Sequence, residues 1–456
     1  MLFRDALTDL EQWHSQTPRK PLILRGARQV GKTTLVRLFC ERQDLHLVEV
    51  NLESDFEIRS AFKSMDPEAI LRDIELLKKT RINKKSLLFI DEIQACPEAI
   101  QALRYFYEKK VDLPVVAAGS LLEFTLSEHT FSMPVGRVEY FFVHPMKFGE
   151  FLRAQGETPL IKAFQTYKIG HSISDLFHER LLKVYYEYLL VGGMPEAVSV
   201  FVKTKNLTKV KAVHRTIMLN YQSDFAKYAK RIPVARLEKV FSFTPAHIGQ
   251  KARFSEMDPD EQAKSLRLAL DLLEKAGVIY RIYHSNASGI PLKIGIHEGV
   301  FKLLFVDIGL VSYDLGLAYE DVLEIYNSTK GHLNLLHKGL ITEQFVGQQL
   351  LATHTLDRLD LFYWLRERRA QNAEVDFLIQ KGLHIIPIEV KFGKTGSIRS
   401  IIQFVKEKKA RLGIKFTTQP PHVEESKYED LNFRLLRLPV YLAERIFDII
   451  ETSHTH

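Results

Sequence analysis

Cysteine is nearly absent from this chain. Cys40 and Cys96 are the only two in 456 residues, which rules out a disulfide framework or a four-thiolate zinc site, so both read as ordinary residues of a reducing compartment. Long apolar runs are missing too, and nothing approaches the ~18–20 residues that a membrane-spanning helix needs. The opening stretch MLFRDALTDLEQWHSQ sets acids among its apolar residues, where a secretory signal would be unbroken. A soluble cytoplasmic protein without a membrane partner is expected. Hydrophobic and charged contents of 46% and 26% suit a globular chain. At ~100–200 residues per domain, the length calls for three or four units. The net charge of +7 permits an anionic partner, with nucleic acid, DNA above all, the first to consider.

What is present begins with PLILRGARQVGKTTLVRLF, Pro21 to Phe39. A short apolar strand runs into Gly26, Ala27, Arg28, Gln29, Val30, Gly31, Lys32, Thr33 and Thr34, and a helix follows. Glycines at both ends let the backbone wrap a phosphate with its N–H groups inward, and the helix N-terminus favours negative charge. Lys32 is expected to reach the β- and γ-phosphates of ATP, and Thr33 to place its hydroxyl on Mg²⁺.

Downstream, SLLFIDE (Ser86 to Glu92) is almost wholly apolar before its two acids. Such a strand belongs inside a parallel sheet covered on both faces, with the acids at the ligand-binding end. Asp91 is expected on Mg²⁺ and Glu92 on the attacking water, since phosphoryl transfer needs positioning and charge stabilisation more than covalent chemistry. A further buried strand, VDLPVVAAGS, ends at Ser120, placed either to sense the γ-phosphate or to cap the next helix.

GARQVGKTT, LLFIDEIQ, VVAAGSLL, Gly136-Arg137, HPMKFGEFL (His144 to Leu152) and GGMPEAV (Gly192 to Val198) together resemble the prokaryotic AAA-type ATPases whose C-terminal half was long labelled a domain of unknown function. That resemblance implies ATP and Mg²⁺ as cofactors and Ser120 as the first sensor. It makes Arg137 either the arginine that answers the γ-phosphate, in cis or from a neighbouring subunit, or a structural ion-pair residue. It also makes a homo-oligomer an expected state.

Leu152 to about Arg231 reads as a helical lid. From Pro233, helices lead to VIYRIY and a returning LKIGIH, a pattern suited to a winged helix that enters a DNA groove or serves only as packing. Its second helix carries the acids Asp258, Asp260, Glu261, Asp271 and Glu274.

The last third holds a second set. Glu343 lies in a helix, and EVDFLI and IIPIEVK are strands. Alternation puts Val375, Phe377 and Ile379 on one face with Asp376 opposite, and leaves Glu389 and Lys391 together on one face of the next strand. Carboxylates holding Mg²⁺ beside a lysine make a site for phosphodiester hydrolysis. The arrangement resembles the PD-(D/E)xK nuclease fold, with Val375 where that pattern has proline. It implies Asp376, Glu389 and Glu343 as metal ligands and Lys391 as the residue that positions water, with Gln403 as a further polar candidate. Arg366, Arg368, Arg369, Lys394, Arg399, Lys406, Lys408, Lys409, Arg411 and Lys415 surround it with positive charge; a phosphate backbone would meet that field, though the KEKKAR run alone also reads as a solvated helix face.

The expected architecture is α/β: a P-loop ATPase core (1–151), a helical lid (152–232), a winged helix (233–325) and a restriction-endonuclease-like domain (326–456). The expected function is a Mg²⁺-dependent ATPase coupled to DNA binding or processing. Its rival is an ATP-controlled switch or scaffold whose nuclease-like domain binds a partner without cleaving.

Overall fold

The computed structural model describes residues 2–119, 136–228, 232–318, 335–366, 372–392, 398–428 and 431–453. After α1 (Ala6–Ser15), the first half builds a parallel sheet from β1 (Leu22–Arg25), β2 (His46–Asn51), β3 (Ser86–Asp91), β4 (Val115–Ala118) and β5 (Glu139–Phe142) in the order β2-β3-β4-β1-β5. Helices α2 (Lys32–Arg42), α3 (Pro67–Lys78) and α4 (Pro97–Lys109) make the crossovers. The apolar strands are explained by their cover. Leu87 and Phe89 of β3 enter one core while Leu88 and Ile90 enter another, and Leu22 and Leu24 of β1 are likewise separated from Ile23. Both faces are dry, so period-two alternation of polarity has no role here. β4 inserts between β1 and β3, so the phosphate-loop strand and the acid-bearing strand flank one shared neighbour.

Next come α5 (Phe148–Ala154), α6 (Thr158–Thr166), α7 (Asp175–Val191), α8 (Pro195–Thr204) and α9 (Leu207–Asp224). The Gly192-Gly193 turn between α7 and α8 is packed too tightly for any other residue: a Cβ on Gly192 would lie 1.9 Å from an Asp307 oxygen, and one on Gly193 2.2 Å from the Met146 carbonyl. Gly193 N–H donates to Asp307 at 2.6 Å, and Met146 N–H donates to the Gly193 carbonyl at 2.6 Å. Burial raises the Asp307 carboxyl to about 6 against the hydrogen bonds it accepts from Gly193, Gln348, Leu310 and Gly309.

The second half follows the order α10 (Val234–Ala246), β6 (Lys251–Ala252), α11 (Phe254–Met257), α12 (Ala263–Lys275), β7 (Ile279–Ser285) and β8 (Ile296–Phe305). The returning strand starts later than LKIGIH suggests, because Leu292–Gly295 is a 3-10 turn. Then come α13 (Ile308–Asp314), α14 (Leu335–Leu351), β9 (Phe362–Arg366), β10 (Ala373–Lys381), β11 (His384–Val390), α15 (Arg399–Lys408), β12 (Leu412–Thr417), β13 (His422–Tyr428), β14 (Leu431–Pro439) and α16 (Ile446–Ser453). All these strands join one nine-stranded sheet, β13-β14-β12-β11-β10-β9-β7-β8-β6. The β7–β8 hairpin and the later strands are thus continuous, joined where Tyr283 and His284 run parallel to Phe362 and Tyr363. One expectation fails at β10. A bulge between Val375 and Leu378 shifts the register, so Val375 packs with Leu378, Trp364 and Phe404 while Phe377 and Ile379 enter the opposite core.

Candidate functional site

The phosphate loop is shaped by its glycines. Gly26 has φ 140°, and a Cβ there would meet the Val143 carbonyl at 2.1 Å; Gly31 has φ 93°. Ala27 and Val30 bury their side chains in the core, so only their backbone faces a ligand, and Thr34 is exposed. Lys32 opens α2 and donates to the carbonyls of Gly26 and Ala27, both at 2.8 Å. Burial pulls the Lys32 ammonium down to about 8, partly offset by Glu92 and Asp91. Thr33 Oγ1 donates to Asp91 Oδ2 at 2.9 Å, with Asp91 at the tip of β3. A hydroxyl and a carboxylate in contact at a phosphate loop are oxygen donors that fit Mg²⁺, which takes few protein ligands beside the phosphates. Burial raises the Asp91 carboxyl, and the Thr33 hydrogen bond works the other way.

Glu92 follows in the left-handed region, φ 50°, and accepts from Gln94 Nε2 at 2.6 Å. Gln94 was not foreseen as part of this site. Its signal was its place in DEIQ, two residues past the candidate base. Arg28 is drawn to α9 instead of the loop interior: its guanidinium meets Asp224 at 2.5 Å, and Tyr221 donates to its carbonyl at 2.9 Å. Gln29 takes φ 66°. Ser120 lies outside the described residues. Arg137 pairs with Glu108 at 3.2 Å beside the start of β5. There Glu139 aligns with Leu22, the first residue of β1, whereas the loop follows the last, so Arg137 stands at the opposite end of the sheet from its own phosphate loop.

The second set does converge. Lys391 Nζ lies 2.6 Å from Glu389 Oε1 and 4.0 Å from Asp376 Oδ2, and the same Asp376 oxygen accepts from Val390 N–H at 2.6 Å. Glu343 faces them from α14. Gln403 is elsewhere, bonded to Glu407 at 3.0 Å. Sequence reasoning missed Lys302 of β8, whose ammonium lies 2.9 Å from Glu343, 2.5 Å from Glu374 and 3.9 Å from Asp376. Its signal was a lysine inside the apolar run VFKLLF. Burial opposes its charge, but the three carboxylates hold it well above the ordinary lysine range. Burial pushes Glu343 and Glu389 up to about 8, with Lys302 and Lys391 respectively pulling them down. As arranged, these carboxylates do not fit a divalent ion, because an ammonium stands among them.

The acids of the helical region before β7 have partners of their own: Asp258 with Lys239, Glu261 with Arg236, and Asp271 and Glu274 with Arg281. Among the described residues no helix is long and apolar enough to cross a membrane.

Residues 18–152 match the family described as an AAA domain. Residues 182–321 and 338–436 match two families, each described as a domain of unknown function (DUF8612 and DUF4143). No curated protein matches the chain. Among solved structures, the chain is similar to PCH-2 of C. elegans at 15% identity and TM-score 0.25, covering 44% of this chain and 61% of that one, less than two thirds of its length. It is also similar to the Thermotoga maritima RuvB Holliday junction branch migration motor at 16% identity and TM-score 0.29, and to a point variant of that protein at 15% and 0.31; both matches cover 66% of this chain and 92% of the other.

Proposed function

We propose that the protein is a Mg²⁺-dependent ATPase whose turnover is coupled to DNA held by its C-terminal half. The observation that carries it is the contact of Thr33 with Asp91, with Lys32 and Glu92 beside them, at the ligand-binding end of a parallel sheet. Lys32 and the loop amides bind and orient the β- and γ-phosphates. Thr33 and Asp91 would hold a Mg²⁺, whose charge would offset that on the transferred group. Glu92 orients the attacking water and accepts its proton, and Gln94 fixes the Glu92 carboxylate. Ser120 senses the γ-phosphate, and Arg137 serves a neighbouring subunit in a homo-oligomer.

The C-terminal half comprises a lid, a winged helix and a PD-(D/E)xK-like unit, with boundaries near 151, 232 and 325. The helix and strand order of 233–305 and the α14, β9–β11, α15, β12 succession support that division. A groove of about 870 Å³ supports DNA as partner. It is lined by Ser288 to Ile290 of the hairpin loop and by Lys408, Lys409, Arg411 and Arg434, which outnumber Glu407 and Glu425 in the same wall. Cations along a groove bind a phosphate backbone and lose affinity as salt rises. Lys302 within the acidic set favours the reading in which the nuclease-like unit binds without cutting.

Phosphate release measured with duplex, single-stranded and four-way DNA tests this. Stimulation by at least one DNA, lost in Lys32→Ala, is expected. Turnover unchanged by all three, with none bound at low salt, would sink the coupling while leaving the ATPase.

A further inference from the structure

The carboxylates converging beneath α14 invite a divalent ion, but the group among them is a side chain of the protein. We infer that Lys302 is the resident cation of this site, a fixed ammonium in place of a metal, which locks the β7–β8 hairpin to α14 and β10. This goes beyond the ATPase reading and is independent of it; from the nuclease-like fold it takes only the expectation of a metal.

The geometry is that of an ammonium. Its N–H donors reach Glu374 and Glu343 at 2.5 and 2.9 Å, with Asp376 at ion-pair distance, 3.9 Å. Mg²⁺ would require a near-octahedral shell of oxygens at about 2.0–2.1 Å, several of them water. Away from Glu374, whose side chain is 40% exposed, the surroundings leave little room for that shell. Lys302 is 1% exposed, Glu389 2%, Glu343 6% and Asp376 7%. Behind Glu343, Gly249 comes so close that a Cβ there would lie 3.0 Å from the carboxyl group. The remaining oxygens are largely committed too: Asp376 Oδ2 accepts from Val390 N–H and Glu389 Oε1 pairs with Lys391, leaving Glu389 Oε2 as the buried carboxylate oxygen of the set without a partner. The Tyr363 ring, 5.2 Å from the Lys302 nitrogen, closes a further side.

The site is also a fastening. Lys302 belongs to β8, Glu343 to α14, and Glu374 and Asp376 to β10, so one ammonium ties three elements that the sequence keeps apart.

The test is thermal unfolding of the full-length, nucleotide-free protein with and without millimolar Mn²⁺. Wild type and Asp376→Asn should respond to Mn²⁺ identically. Lys302→Ala should unfold several degrees lower, and Mn²⁺ should restore at least half of that loss through the emptied position. The restoration should vanish in Lys302→Ala with Glu343→Gln. Three results would overturn the inference: a Mn²⁺ stabilisation of wild type that Asp376→Asn removes, an unfolding midpoint that Lys302→Ala leaves unmoved, or a loss that Mn²⁺ does not restore. Should Lys302→Ala fail to fold, the comparison of wild type with Asp376→Asn decides alone.

Discussion

Two lysines, Lys32 half-buried and Lys302 buried, divide this molecule's chemistry between them. Lys32 is bonded to two neutral carbonyls, and burial holds its proton loosely, near 8. Lys302 is surrounded by carboxylates that hold its proton tightly. The same side chain is thus poised for an incoming anion in one half and already neutralised in the other. A buried charge without a full partner is costly, and a protein keeps one where a ligand supplies the counter-charge.

The comparison is broken most decisively by exchanging each lysine for an apolar side chain. Lys32→Met should lower phosphate release by about 1000-fold, the upper range for losing one electrostatic contact to the reacting group. Glu92→Gln should lower it by about 100-fold while nucleotide binding, followed by fluorescent-analogue titration, survives. Lys302→Ala should instead destabilise by about 3–5 kcal/mol in denaturant titration, the usual result of stranding a buried charge.

The stability effect of Lys32 has the opposite sign. Its folded pKa lies below the ordinary 10.5, so its contribution to stability is present above that value and lost as pH falls through about 8. Lys32→Met should therefore raise the unfolding midpoint of the nucleotide-free protein at pH 7, with the gain fading as pH approaches 10.5. A midpoint that falls at pH 7 would remove the distinction between the two lysines. The smallest effect concerns Arg137. Arg137→Ala should be impaired alone, and mixing it with Lys32→Ala should recover turnover a few-fold if the arginine serves a neighbour. Additive rates on mixing would dismiss that role.

Much of the first half was legible because its signals are local. Gly26 to Thr33 and Ser86 to Glu92 each carry their chemistry within a few residues, and dry faces explain their apolar strands. The insertion of β4 between β1 and β3 was not legible, since strand order depends on crossovers that leave no mark on either partner. In the second half, alternation found Glu389 and Lys391 but placed Val375 on the wrong face, because a bulge adds a residue without any sequence signature in EVDF. Lys302 escaped for a different reason. Its partners lie 41 residues away and beyond, and a lysine in a strand reads as solvent-facing until the opposing carboxylates are placed. β13 escaped as well, because the charges of HVEESKY mask an edge strand.

The segment from Phe142 to Gly149 bears on how far the protein can be divided. Phe142 N–H donates to the Thr355 carbonyl at 2.6 Å, Phe148 N–H to Gln349 at 2.8 Å and Gly149 N–H to Glu444 at 2.8 Å. The backbone amides of this segment thus take one backbone and two side-chain acceptors from beyond residue 348. A truncation that ends before Gln349 would orphan those amides at about 1–3 kcal/mol for each one left buried. The phosphate-loop domain is therefore no detachable module, and its stability is a property of the whole polypeptide.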